Sequence, residues 1–109
     1  MNLKGWRMIE MTVLVQLRPG KEAEFLQAIR SLNRKGETNP GAWNPSLYRA
    51  VEDACGFRLS WEWQTRDQME LYRRSDDCKV ILGAVRVLGE RSEIRFCHVL
   101  EKAAVLPGV

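Results

Sequence analysis

From Phe57 to Gln64 the chain alternates without a break: Phe57, Leu59, Trp61 and Trp63 fall on one side, Arg58, Ser60, Glu62 and Gln64 on the other. Only a β-strand, with its two-residue period, keeps four large apolar residues on one face, so this segment must lie with one side against a core. A second run of the same kind occupies Met8–Leu17, where Ile9, Met11, Val13, Val15 and Leu17 share a face opposite Glu10, Thr12 and Gln16. After this run the period becomes helical. Behind Pro19-Gly20, with Glu22 and Glu24 well placed in a first turn, Phe25, Leu26, Ile29 and Leu32 make one apolar stripe of roughly three turns. Thr65 and Gln68 form a capping box ahead of a short helix with Met69 and Tyr72 on one side. Ser75 to Asp77 offers a second N-cap before Val80, Ile81, Ala84, Val85 and Leu88, and Gly89 ends that helix.

The remaining segments close the pattern. Asn39-Pro40-Gly41 and Asn44-Pro45 make Gly36 to Pro45 a loop. A short strand, about Ser46 to Val51, and a turn through Gly56 lead into the Phe57 strand as a hairpin. A last strand, about Ser92 to Leu100, carries Ile94, Phe96, His98 and Leu100 on one face. The order is β-α-β-β-α-β, a ferredoxin-like α+β arrangement with a four-stranded antiparallel sheet and its helices on one face. Its 109 residues suit a single domain with a core over about 8–100, and residues 101–109, with Pro107-Gly108, are expected to be a C-terminal arm. The second sheet face is half polar yet holds Leu14, Cys97 and Val99, so a partner is expected to cover it.

Composition narrows the function classes. Seventeen Lys and Arg against 14 Asp and Glu leave a net charge of only +3, and the basic residues are interspersed, as in Arg73-Arg74 followed by Asp76-Asp77. A nucleic-acid partner would call for a basic stripe. No apolar stretch is long enough to span a bilayer, and the start lacks the apolar segment of a signal peptide. Cys55, Cys78 and Cys97 are odd in number, widely spaced and without a C-x-x-C pair, which argues against a disulfide framework or a structural zinc site and for a cytoplasmic protein. One histidine and scattered carboxylates give no metal cluster, and the glycines have no phosphate-cradling spacing.

An ordered set of residues resembles the antibiotic biosynthesis monooxygenase family, of the dimeric α+β barrel superfamily. The set comprises Pro19-Gly20-Lys21-Glu22 with Phe25, then Asn39-Pro40-Gly41, Arg49 with Glu52-Asp53, Phe57, Leu59 and Glu62-Trp63. Ser75 and Val87-Leu88-Gly89 complete it. The likeness covers about Met8 to Leu100. It implies a homodimer with facing sheets and a pocket in each protomer between sheet and helices. It also implies oxygenation of small aromatic, quinol-like or polyketide substrates without metal or flavin. Pro45 stands where members commonly have a large residue, and Asp77 where many have a histidine. Val13, Tyr72 and Leu82 stand at the positions of the haem-degrading branch's asparagine, tryptophan and histidine, so haem degradation is not expected.

Such chemistry needs a mostly apolar pocket and a group that takes a proton. Trp61 and Trp63 are expected as pocket walls or as plain core, and Tyr72 as a hydroxyl that meets a substrate oxygen. Asn44 is a candidate ligand donor or a turn cap. His98, the single histidine, is the candidate base; a structural or exposed role is the alternative. Glu10 and Glu62 fall on the other face, with Arg58 and Arg95 as expected partners. Three functions are compatible with these residues: a cofactor-independent monooxygenase, a non-catalytic homodimeric ligand-binding or stress-associated module, and an isomerase or dehydratase of a small carbonyl compound.

Overall fold

A computed structural model of the chain describes residues 8–37 and 44–100. The alternating segments become strands β1 (Met8–Leu17) and β3 (Gly56–Trp63), and the helical periods become α1 (Glu22–Glu37), α2 (Arg66–Arg73) and α3 (Asp76–Leu88). β2 (Ser46–Arg49) and β4 (Gly89–Val99) complete one antiparallel sheet in the order β2-β3-β1-β4. This is the ferredoxin-like arrangement expected from the element order. The Asn39-Pro40-Gly41 turn and the expected arm over 101–109 lie outside the described residues.

Local chemistry sets most boundaries. Gly20 turns the chain out of β1 at φ 85°, a left-handed conformation that costs glycine nothing. The Thr65 hydroxyl accepts from the Gln68 amide at 3.1 Å and the Gln68 side chain accepts from the Gln64 amide at 3.0 Å and the Thr65 amide at 3.4 Å, so the capping box starts α2. Ser75 caps α3 by accepting from the Cys78 amide at 3.2 Å, while its hydroxyl donates to the Tyr72 carbonyl and closes α2.

Three boundaries differ from the sequence expectation. α1 continues through Gly36 to Glu37, because one glycine near a helix end costs only about 1 kcal/mol against an apolar stripe already anchored at Phe25 and Ile29. β2 stops at Arg49, because the chain turns at Asp53, whose carboxylate accepts from the Cys55 amide at 2.9 Å and whose carbonyl accepts from the Gly56 amide at 3.1 Å. β4 starts at Gly89 directly from α3, and the register against β1 shifts between Gln16 and Leu17, which pair with Arg91 and Gly89. Glu90 is therefore the extra residue of a β-bulge. Gly89 is required at the joint: a Cβ there would collide with the Val85 carbonyl and stand 3.0 Å from Val15 Cγ2.

The core fills the space between sheet and helices. It joins the inward residues of β1 and β3 to Phe25 and Ile29 of α1, Met69 and Tyr72 of α2, and Cys78, Ile81, Val85 and Leu88 of α3. On the outer face, Arg95 is held by Glu93 at 2.9 Å, Arg58 lies 4.2 Å over the Tyr48 ring, and Glu10 accepts from Thr12 at 3.2 Å. A groove of about 640 Å³ opens on this face over Leu14, Tyr48, Arg58 and Arg91. No helix among the described residues is long and apolar enough to cross a membrane.

Candidate active site

Three of the expected site residues meet. Trp61 and Trp63 point inward from β3, and Tyr72, one turn beyond Met69 on α2, comes down on both: each indole lies 5.5 Å from the phenol ring, tilted by 45° and 39°. All three are nearly sealed, at 2%, 1% and 3% exposure. Packing accounts for their carbon atoms, but not for their polar ones. The indole N–H of Trp61, that of Trp63 and the Tyr72 hydroxyl are buried without a hydrogen-bond partner among the described residues, as is the Asn33 side-chain oxygen. Each orphan of this kind costs roughly 1–3 kcal/mol and calls for an explanation.

Burial pushes the Tyr72 phenol well above its ordinary range, and Cys78 and Asp77 add to the rise. The Trp61 N–H leans toward the phenol and opposes that rise without reaching hydrogen-bond geometry. Tyr72 therefore stays a neutral O–H at physiological pH, able to donate to or accept from a ligand oxygen but not to act as a base.

His98 stands apart from this cluster. It pairs with Ile9, which pairs on its other side with Trp63, so His98 and Trp63 are two strands apart, about 10 Å across the sheet. It is exposed and lines a cleft of about 270 Å³ between α2 and β4, with Ile9, Met69, Phe96, Arg66, Glu70 and Arg73. Asn44 is farther off in its contacts: its amide donates to the Asn33 carbonyl of α1 at 3.3 Å. Neither the outer groove nor the α2–β4 cleft is lined by Trp61, Trp63 or Tyr72.

Sequence reasoning missed Arg66 and Arg73 as neighbours of His98. The shared face of Phe96 and His98 was visible in the alternation, but only the pairing of β4 with β1 brings them under α2. It also missed the bond from the Cys55 thiol to the Glu22 carboxylate at 2.9 Å, which joins residues 33 apart in sequence. That bond raises the Cys55 pKa to about 11 and holds the Glu22 carboxyl below its usual range. Among the described residues no group of three His, Cys, Asp or Glu side chains could hold a metal ion.

The sheet order, the three helices on one face and the aromatic cluster between them define a ferredoxin-like α+β domain. Residues 8–83 match the model of the antibiotic biosynthesis monooxygenase family, and the chain belongs to that family. No curated protein matches it. Among solved structures it is similar to a conserved protein of Methanosarcina mazei, with a TM-score of 0.73 at 20% identity over 89% of this chain and 97% of that one. Protein Rv0793 of Mycobacterium tuberculosis gives 0.73 at 14% identity, over 89% of this chain and 99% of its own. A Caulobacter crescentus protein provisionally named as an antibiotic biosynthesis monooxygenase gives 0.72 at 20% identity, over 88% and 92%. Identities this low establish the shared fold.

Proposed function

We propose that the chain is a homodimeric, cofactor-independent monooxygenase that oxidises a small aromatic, quinol-like or polyketide substrate with dioxygen. Membership of the family supports the reaction class. The observation that carries the site is the trio of orphaned polar atoms on Trp61, Trp63 and Tyr72. Two N–H donors and a neutral hydroxyl in an apolar cluster suit a flat ligand that bears oxygen atoms. They would hold the oxyanion that forms when the substrate loses a proton. In this reading the ligand reaches the cluster from the α2–β4 side, where His98 takes that proton.

For an activated CH2 group flanked by aromatic rings the chemistry balances as follows. Loss of one proton to the base leaves a carbanion delocalised onto oxygen, and one electron passes from it to dioxygen. The substrate radical and superoxide combine into a C–O bond and, with a proton, give a hydroperoxide. The second C–H proton then leaves as the O–O bond breaks, so that the substrate ends as a ketone and the other oxygen atom as water. The electrons come from the substrate itself, so the scheme needs no metal or flavin. A closed apolar site keeps the intermediates from water.

The second reading, a homodimeric binding module without turnover, draws on a different observation. The aromatic trio is packed ring to ring, so a ligand has to part it. Oxygen uptake by chelator-treated protein with anthrones, hydroquinones and catechols separates the two. Uptake above the protein-free rate that falls at least tenfold in His98→Ala supports the oxygenase with His98 as base. Uptake unchanged by that substitution removes His98 from the mechanism, and no uptake across the panel favours the binding module. Light scattering that shows a monomer at micromolar concentration would refute the homodimer.

A further inference from the structure

The α2–β4 cleft has a charge composition that neither the core nor the oxygenase scheme requires. Among the described residues, Arg66 and Arg73 flank it beside His98, and Glu70 is its one carboxylate. That carboxylate is already engaged with the Arg73 guanidinium at 3.2 Å. Arg66 is the first residue of α2, at the positive end of the helix, where a cation is electrostatically misplaced. Between these groups lies an apolar floor of Ile9, Met69 and Phe96. Phe96 is 45% exposed although its neighbour in the register, Met11, is buried, and the Arg73 guanidinium covers its ring at 4.9 Å. An open aromatic ring, a guanidinium above it and a second guanidinium at the rim have the chemistry of a receptor for a flat anion.

We infer that this cleft binds an aromatic carboxylate, its ring against Phe96 and Met69 and its carboxylate paired with Arg66. The planar fork of arginine matches a carboxylate with two parallel hydrogen bonds, and about 270 Å³ suits a ligand of one or two fused rings. The inference rests on the α2–β4 side being where ligands approach, as in the reading above, but needs no turnover. It narrows the substrate class to acids, or gives a binding module its ligand.

His98 is the only histidine in the chain, so its imidazole resonances report on the cleft alone. The experiment titrates naphthoate and its neutral analogue naphthylmethanol into the full chain at pH 7, without oxygen, and follows these signals. Naphthoate is expected to shift them saturably and to bind at least tenfold tighter than naphthylmethanol. Arg66→Gln is expected to weaken naphthoate about tenfold and leave naphthylmethanol unchanged, because an exposed helix-start residue carries the charge and not the fold. Phe96→Ala is expected to weaken both probes. Equal binding of the two probes, signals that naphthoate leaves unmoved, or an Arg66→Gln protein that binds naphthoate as before would each overturn the inference. Oxygen uptake is not part of this readout, so failure here and failure of the oxygenase reading are separate results.

Discussion

β1 and β4 lie side by side in one sheet, paired from Met8 and Val99 down to Leu17 and Gly89, yet they live in different surroundings. β1 is buried at every second residue, whereas β4 is exposed along almost its whole length. Both alternate, and Ile94 and Phe96 share a face with Val13 and Met11. Their exposures are nevertheless 44% and 45% against 0% and 1%. Alternation tells which face a side chain takes, and the neighbouring elements decide whether that face is covered. β1 is flanked on both sides and roofed by helices. β4 is an edge strand whose inner face is left open beside α2, and that opening is the cleft.

The registered pair Met11 and Phe96 tests the contrast most sharply. Met11→Ala is expected to cost about 2–5 kcal/mol by urea unfolding, the usual loss for a buried methionine that leaves a cavity. Phe96→Ala should cost less than about 1 kcal/mol. Similar losses at both positions would mean that β4 is covered in solution by something beyond the protomer.

Gly89→Ala is expected to cost roughly 1–3 kcal/mol although the residue is only half-buried, because its Cβ would press on the Val85 carbonyl and Val15. That result would show β4 anchored at its root and open beyond it. The smallest effect, of opposite sign, belongs to Tyr72→Phe. Removing an orphaned hydroxyl should leave stability unchanged or raise it by up to about 1 kcal/mol, while ligand binding at the aromatic cluster weakens. A clear loss of stability would instead mean that the hydroxyl already has a partner in the resting protein.

What could be read from the sequence follows the same division. The two alternating segments, the Thr65–Gln68 box and the Ser75 cap are local signals, and each lies where the residues placed it. The meeting of Trp61 and Trp63 with Tyr72 was within reach too, since it needs only a strand face and the helix that follows. The start of β4 was hidden in Glu90-Arg91-Ser92, where no apolar residue marks which side faces in. The cleft needed still more: Arg66 and Arg73 come from α2, while Phe96 and His98 come from a strand about 25 residues later. Only the long-range pairing of β4 with β1 unites them. The orphaned polar atoms have no sequence signature, because they depend on which way a buried ring is turned.

The bulge at Glu90 acts as a parity bit for the last strand. With it, Ser92, Ile94, Phe96 and His98 look toward the helices, opposite Val15, Val13, Met11 and Ile9. Were the bulge closed with Glu90 kept as an ordinary strand residue opposite Gln16, and with Gly89 still tied to α3 and paired with Leu17, the inward places would pass to Arg91, Glu93, Arg95 and Cys97. Three charges would then border the core, and the histidine and the phenylalanine would sit on the opposite side of the sheet. A single residue at the foot of the strand thus selects which of two complete sets of side chains the molecule shows at the cleft, some 20 Å away.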